Sequence, residues 1–419
     1  MIETMSTKFT RIALAVAAAI GVSTSAFAID PQSIRVGDGV LFTPTLTFLE
    51  QYDDNIHGTA DNTKSSWVTT VEPTFNLSLD RAKSAYQLEY RMASTNYHSS
   101  NNSSHIDHHV TADAGFEFNA SNRLLLNAGY HKMQDSAPEN VYVLDDVTND
   151  KWHTKNVGGV YTFGADSART QVELAADYAE LRYDNSQRYD NSQRLATGQR
   201  VNSDNERDTA SVGVTGYYAI APKTKLLLEG RFADYDYKSD SDSDSRNKAL
   251  LAGVTWEATA LTTGTLKFGR EKKDYKNSTY SNSSTGMWEA GIDWAPLTYS
   301  TFSLKTRRGF DESSSFNYVE DFDAIDNVTS SMKVEDTSLT WKHSWLDRVS
   351  TDVEYRHVDR KYQSFDRNDK IDQYGISVNY QARRWLDVGI GFKHRENDSD
   401  LAGSDYKRNI YALTFNASL

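Results

Sequence analysis

The sequence predicts an all-β fold, a transmembrane antiparallel barrel of about 18 strands without a plug domain. Three observations predict it: strand-length segments in which apolar and polar side chains alternate, a regular alternation of short and long connections, and an N-terminal export signal. The mean hydropathy of −0.64 does not argue against a membrane protein. A spanning strand needs only about 9 to 11 residues, of which every second one faces lipid.

The first 28 residues have the features of a secretory signal peptide. Lys8 and Arg11 precede an apolar run over 12–22, and Ala26-Phe27-Ala28 forms a small-x-small cleavage site. We therefore predict a signal peptide at 1–28, a periplasmic N-terminal segment at 29–39 and the barrel at 40–419. The absence of Cys fits an oxidising periplasm, and the net charge of −13 argues against nucleic acid as a partner.

Alternation of side chains is clear from Trp67 to Leu79, where Trp67, Val71, Phe75 and Leu77 alternate with polar residues. The same pattern predicts strands at 40–52, 67–79, 86–97, 107–118, 123–132, 152–163, 170–182, 208–219, 225–235, 247–257, 264–274, 286–295, 300–310, 331–342, 349–361, 371–381, 385–395 and 406–419. A soluble β-sandwich also alternates, but so many strands behind a signal peptide favour the barrel.

The predicted connections alternate between short turns and long polar loops. Short turns follow every second strand, at 80–84, 119–122, 164–169, 220–224, 258–263, 296–299, 343–348 and 382–384, whereas loops such as 53–66 and 133–151 are long. Short periplasmic turns and long external loops are typical of outer-membrane barrels, so both termini are expected in the periplasm. The last strand carries Tyr411, Leu413, Phe415 and Leu419, a pattern similar to the signal read by the barrel assembly machinery, with Leu in place of the usual terminal Phe.

The polar face of the strands carries charges of both signs. Seventeen of these residues are candidate lumen-lining contacts for a solute: Glu89, Arg91, Asp113, Glu117, Glu173, Asp177, Glu229, Arg231, Glu289, Asp293, Lys305, Arg307, Asp352, Glu354, Arg356, Lys393 and Arg395. Unpaired charges are costly in a dry interior, so the lumen is predicted to contain water.

Three motifs have both a functional and a structural interpretation. His105, His108 and His109 suggest a metal site, but a solvated strand end is the preferred interpretation. The run SDSDSDS at 239–245 suggests calcium, yet it lacks the Gly and the distal Glu of a calcium loop, so a disordered external loop is the preferred interpretation. The tandem YDNSQR at 183–194 is interpreted as a duplication in a tolerant loop rather than a ligand-binding ladder. No catalytic spacing is present, so we predict neither an enzyme nor a cofactor.

Aromatic residues near strand ends are predicted to form the girdles that anchor a barrel at both interfaces, and these include Trp67, Trp152, Trp256, Trp288, Trp294, Trp341 and Trp385. Some Tyr residues could instead stack on sugars in the lumen. The candidates close the strands that lead into external loops: Tyr97, Tyr183, Tyr235, Tyr275 and Tyr362.

The segment from Ser33, SIRVGDGVLFTPTLTFLEQYDDNI, resembles the opening of the putative beta-barrel porin 2 family. Its features are a Pro-containing first strand that runs into Glu50, Tyr52, Asp53, Asp54 and Asn55. The resemblance implies an outer-membrane porin associated with export of exopolysaccharide or capsule. It implies no active-site residues and no particular solute.

Three functions stay open at this point. The first is passive export of a polysaccharide, with periplasmic polysaccharide-export proteins as partners. The second is uptake of small polar solutes or sugars, with a lumen narrowed by an inward-folded segment at 133–151 or 311–328. The third is a structural or adhesive barrel with a closed lumen, whereas a TonB-dependent receptor is too large for this chain. In each case the expected partners include outer-membrane lipid and lipopolysaccharide.

Overall fold

A computed structural model describes residues 33–134, 151–184, 202–259, 261–312, 331–363, 367–401 and 404–418 of the chain. The strands are β1 (Ile34–Arg35), β2 (Val40–Asp53), β3 (Ser66–Asp80), β4 (Ser84–Tyr97), β5 (His105–Asn119), β6 (Asn122–Gln134), β7 (Lys151–Phe163), β8 (Thr170–Tyr183), β9 (Arg207–Ala221), β10 (Thr224–Tyr237), β11 (Ser245–Thr259), β12 (Thr262–Tyr275), β13 (Ser283–Leu297), β14 (Ser300–Glu312), β15 (Ser331–Leu346), β16 (Val349–Tyr362), β17 (Asn368–Arg383), β18 (Leu386–Ser399) and β19 (Tyr406–Ser418).

Strands β2 to β19 form a closed antiparallel barrel of 18 strands, which confirms the predicted fold and strand number. Each strand pairs with its neighbours in the chain, and β19 closes the barrel on β2 in a ladder from Ile410 opposite Asp53 to Ser418 opposite Thr45. The short strand β1 was not predicted. It pairs with the start of β2, where Arg35 lies opposite Leu41, beyond the point at which β19 ends.

The outward face is apolar and open, as the alternation predicts. Leu250, Phe268 and Ile390 are each 57 to 61% exposed although they belong to long, fully paired strands. Aromatic rings also stack along this face, for example Phe42 on Phe75 with ring centroids 6.1 Å apart. A closed sheet that presents such a surface needs an apolar solvent around it, which a bilayer provides.

The connections alternate in length as predicted. Two or three residues join β3 to β4 and β5 to β6, whereas twelve residues separate β2 from β3. The turn after β7 needs glycine, because Gly164 has a φ of +114° and a Cβ there would lie 2.7 Å from the Thr170 carbonyl oxygen. The only helical segments in the described ranges are short 3-10 turns, and none has the length and apolarity to cross a membrane.

Several predicted features fall outside the described residues. These are the signal peptide at 1–28, most of the tandem repeat at 183–194, the parts of the two long segments at 135–150 and 313–330, and the terminal Leu419.

Candidate functional site: the charged lumen

The inward face is identified by side chains that contact each other across intervening strands. Arg231 on β10 donates from Nη2 to Oε2 of Glu289 on β13 at 2.8 Å, although β11 and β12 lie between these strands. Such a contact is possible only on the concave side of a barrel wall. Because side chains alternate along a strand, this pair fixes which residues of β10 and β13 point into the lumen.

All 17 candidate lumen-lining residues lie on this inward face by strand register. Contact with a solute stays a prediction for each of them. The structure joins some into ion-paired groups and leaves others in separate cross-strand contacts. The separate contacts, with their donor-to-acceptor distances, are Asn76 to Glu89 (3.3 Å), Tyr217 to Glu173 (2.8 Å), Ser303 to Asp293 (2.5 Å) and Asn379 to Asp352 (3.1 Å), together with the weak ion pair of Arg91 and Glu72 at 3.8 Å. Strand register places the remaining members on the same inward face: Asp113, Glu117, Asp177, Lys305, Glu354, Lys393 and Arg395.

The largest group contains four charges on β10, β12 and β13. Arg231 is bonded to both Glu229 and Glu289, and Lys267 donates from Nζ to Glu229 at 2.9 Å and to Glu289 at 3.0 Å. Two cations are thus bonded to two carboxylates in a closed ring. We call these four residues the central ring. Lys267 was missed by the sequence analysis, although it lies on the inward face of β12, two residues before Gly269.

A second group lies on β14, β15 and β16. Arg356 donates to Asp336 from Nε and Nη2 at 3.1 and 3.0 Å, which is the two-pronged geometry that guanidinium and carboxylate favour. Arg307 donates to Asp311 at 2.6 Å and lies 3.9 Å from Asp336. The predicted residues Arg307 and Arg356 therefore share one carboxylate that was not predicted.

The loop end of β14 separates from β13 and lies against the inner side of β12, while β15 stays paired with both β14 and β16. The β13–β14 ladder ends where Trp288 pairs with Arg308, but β14 continues to Glu312 and stays paired with β15. The backbone N–H of Phe310, which is beyond the end of the β13–β14 ladder, donates to Oε2 of Glu271 on β12 at 2.8 Å. We call residues 309–312 and 331–334 the bent hairpin.

Glu312 attaches the bent hairpin to the inner faces of β10 and β12. Its carboxylate accepts a hydrogen bond from the Tyr237 hydroxyl at 2.7 Å and forms an ion pair with Lys273. Tyr237 is on β10, four strands away along the sheet, and Lys273 is on β12. The side chains of Lys273 and Glu312 are 0 and 3% exposed. The described end of β14 therefore lies over the inner faces of β10 and β12. The inward-folded segment predicted at 311–328 lies outside the described residues except for Asp311 and Glu312, and it stays a prediction.

The five candidate Tyr residues all lie on the inward face near the loop end. Tyr97, Tyr183 and Tyr362 are buried, and the Lys273 ammonium lies 4.8 Å from the ring centroid of Tyr235 and 5.5 Å from that of Tyr275. These rings pack against other side chains of the protein and do not project singly into the lumen. Sugar stacking on them stays a prediction.

One girdle assignment was wrong. Trp152 is 5% exposed and packs with Leu181 and Tyr183 on the inward face, because its strand position has the parity of Thr154 and not that of the exposed Val157. The position of Trp152 at a strand end suggested a girdle. Whether a side chain at that position faces lipid or lumen is decided by the strand register. Trp67, Trp294 and Trp385, by contrast, are about half exposed, at 47 to 54%.

Of the three His residues of the possible metal site, alternation places His108 on the face opposite to that of His105 and His109. Nδ1 of His109 lies 3.1 Å from Nδ1 of His131 in the lumen, whereas His108 faces outward and contacts the Tyr90 hydroxyl at 2.9 Å. In the described ranges no three His, Cys, Asp or Glu side chains are grouped to hold a metal. The disordered loop expected at 239–245 is instead a compact turn, because the Asp244 carboxylate accepts a hydrogen bond from the Tyr237 N–H at 2.7 Å. Burial raises the pKa of Asp244.

The seam of the barrel contains a buried ion pair next to the first loop. Arg408 on β19 donates from Nε to Asp53 on β2 at 2.9 Å, and both side chains are buried. From here the loop after β2 turns inward, so that Ile56 packs on Val68 and Tyr97. Burial, helped by the nearby charges of Lys64 and Arg408, lowers the pKa of His57 in this loop.

Comparisons with known proteins agree with this architecture. The family model described as "Putative beta-barrel porin 2" matches residues 27–418. The crystal structure of Pseudomonas aeruginosa OpdO superposes with a TM-score of 0.50 at 13% identity, covering 90% of this chain and 97% of that chain. P. aeruginosa OpdK with vanillate gives 0.48 at 11% identity, covering 90% and 99% of the two chains. No curated protein matches the sequence. At 13% identity the OpdO structure shows a shared fold alone.

Proposed function

The chain belongs to the putative beta-barrel porin 2 family, and from this membership we propose that it is a passive, selective outer-membrane porin for small polar solutes. In this proposal the long loops face the outside of the cell and both termini lie in the periplasm. The chain forms a porin-like outer-membrane barrel, and a channel needs no catalytic group.

The bent hairpin is the observation that supports a small solute. A barrel of 18 strands is wide enough for an aqueous channel, but here Glu312 reaches from β14 to Tyr237 on β10 and narrows the loop end. Below it, the central ring places two carboxylates and two cations on one side of the wall. A narrow path with charges of both signs favours polar molecules that make several weak contacts and can leave again.

Polysaccharide export, which the family resemblance implies, is the less favoured alternative. An exported sugar chain occupies the whole length of the lumen at once, so it needs a continuous wide path. The hairpin attachment would have to open for each chain. A structural barrel with a closed lumen is the third possibility, and it predicts no conductance.

Planar-bilayer recording of the purified protein separates these functions. We expect stable unitary steps of current, reduced in a concentration-dependent way by small polar solutes added to the loop side. A barrel that inserts and stays silent would contradict the porin proposal. Loss of surface polysaccharide on gene deletion, with synthesis intact, would favour export instead.

A further inference from the structure

The inner wall formed by β4 to β8 carries three carboxylates to which no basic side chain of the described ranges is bonded. Glu89, Asp113 and Asp177 lie on the inward face of β4, β5 and β8. No Lys, Arg or His nitrogen among the described residues comes within 4.0 Å of their carboxylate oxygens. Arg91, two residues along β4 from Glu89, contacts Glu72 instead, at 3.8 Å. We call Glu89, Asp113 and Asp177 the acidic wall.

The acidic wall lies at mid-height in the lumen. Asp113 is eight residues from the loop end of β5 and six from its turn end, and Asp177 is six residues from the loop end of β8 and seven from its turn end. Glu89 is five residues from the turn end of β4, as Lys267 of the central ring is on β12. A solute that crosses the barrel therefore passes the acidic wall, whichever end it enters.

A glycine lets two oxygen atoms of this wall turn toward one point. Gly158 on β7 lies in register between Asn127 on β6 and Asp177 on β8. A Cβ at Gly158 would collide with Oδ1 of Asp177 and would lie 2.8 Å from Oδ1 of Asn127. Both oxygens are hydrogen-bond acceptors, and no donor of the described part of the chain is bonded to either. This point favours a positively charged donor.

The other charged groups at this height are balanced. The central ring has two carboxylates and two cations, and so has the group of Arg307, Arg356, Asp311 and Asp336. Lys305 lies on β14, which is nine strands from β5 and so half-way around the barrel, and within the described ranges it has no carboxylate oxygen within 4.0 Å. The three carboxylates of the acidic wall outweigh this one ammonium group.

We propose that the acidic wall makes the channel selective for cations and that its solute carries a protonated amine. This inference rests on the porin function proposed above. An ammonium group above Gly158 can donate to Asp177 and Asn127, and Asp113, opposite Asn127 in the β5–β6 ladder, adds a second carboxylate. The side chains of Asp113 and Asp177 are exposed to the lumen, so water weakens each contact and the solute can leave again.

Bilayer recording of the full-length barrel in a KCl gradient tests this inference through the reversal potential. We expect K⁺ to be at least threefold more permeant than Cl⁻. Asp113→Asn/Asp177→Asn should lower this ratio roughly three- to tenfold, because two charges near the ion path are removed and salt screens them only in part. The matched control Asp208→Asn/Asp274→Asn removes two carboxylates from the outward face and should leave the ratio unchanged.

Block of the current by two probes of similar length tests the solute class. The diamine putrescine should block the parent channel at a concentration at least fivefold lower than the dicarboxylate glutarate does. In Asp113→Asn/Asp177→Asn this difference should be lost. If the double variant does not fold, the two single variants take its place, and each should lower the K⁺ to Cl⁻ ratio about two- to threefold.

The outcomes separate this inference from the porin function. A barrel that conducts but prefers Cl⁻, or prefers neither ion, overturns the inference and leaves the porin function standing. An unchanged ratio in the variants of the acidic wall also overturns it, since other residues would then set the selectivity. Stronger block by glutarate than by putrescine excludes an amine as the solute group. A silent barrel contradicts both proposals.

Discussion

The ammonium group of Lys273 is ion-paired with the carboxylate of Glu312, and this pair attaches the bent hairpin to the inner wall of the barrel. Neither side chain is accessible to solvent beyond 3%. The partner hydroxyl of Tyr237 completes the attachment from a third strand. Because each group of this set depends on the others for its hydrogen bonds, the hairpin has one defined position in the lumen.

Glu312→Gln should release the bent hairpin and raise the single-channel conductance. Removing one partner of a buried ion pair costs roughly 3–5 kcal/mol, because the other charge stays buried without compensation. Movement of the hairpin lets water reach Lys273 and recovers part of this cost, so we expect local opening rather than unfolding of the barrel. Bilayer recording of the variant and the parent protein provides the measurement.

The matched control for this change is Glu396→Gln. Glu396 forms an ion pair with Lys407 at 2.8 Å on the outer surface, where both side chains are largely exposed. Exposed pairs contribute little, so its conductance and thermal stability should equal those of the parent. If Glu312→Gln and Glu396→Gln give the same conductance, the hairpin does not narrow the pore.

Arg231→Gln should shift the ion selectivity of the channel toward cations. The change leaves the central ring with two carboxylates and only the Lys267 cation. One uncompensated charge acting on an ion about 5 Å away in water is worth about 0.8 kcal/mol, or roughly a fourfold change in permeability ratio. The reversal potential in a KCl gradient measures it. Arg246→Gln, on the outward face beside Asp234, should leave the reversal potential unchanged; an equal shift there would place the effect outside the lumen.

The fold follows from the sequence because one simple rule operates along every strand. Side chains alternate between lipid and lumen, so apolar residues such as Leu250 and Phe268 identify the outer face without knowledge of any contact. The same rule placed Glu229, Arg231 and Glu289 on one face. It could not show that these three residues meet, since β10 and β13 are brought together by the curvature of the closed barrel.

The bent hairpin could not be predicted in the same way. Alternation continues through 309–312, so nothing in the pattern marks the residue at which β14 leaves β13. The end of β12, in the run KFGREKKDY, carries charges on both faces, which hides the importance of Glu271 and Lys273. The attachment depends on which distant strand the hairpin reaches, and that information lies in the tertiary structure alone.

Asp53→Asn should destabilise the barrel at its seam. The carboxylate is fully buried, pairs with Arg408 across the first and last strands, and accepts the Asn55 N–H at 2.9 Å. Leaving Arg408 unpaired in the wall should cost about 3–5 kcal/mol, most of it as a lower unfolding midpoint in urea. Lys407→Gln, one residue along β19 and pointing outward, serves as the control. Equal midpoints for the two variants would mean that the seam does not depend on this pair.

Acidification should loosen the loop after β2 through His57. Because burial and the charges of Lys64 and Arg408 lower its pKa, the packed loop binds fewer protons than the free loop does. The packed form is therefore fully favoured above the ordinary His pKa near 6.5, and its stability is lost as the pH falls from there toward the lowered value. Hydrogen exchange of the Ile56 N–H, which donates to the Lys64 carbonyl at 2.8 Å, measures this opening after correction for the intrinsic rate. In His57→Gln the exchange should not depend on pH over this range, and an unchanged pH dependence there would assign the effect to another group.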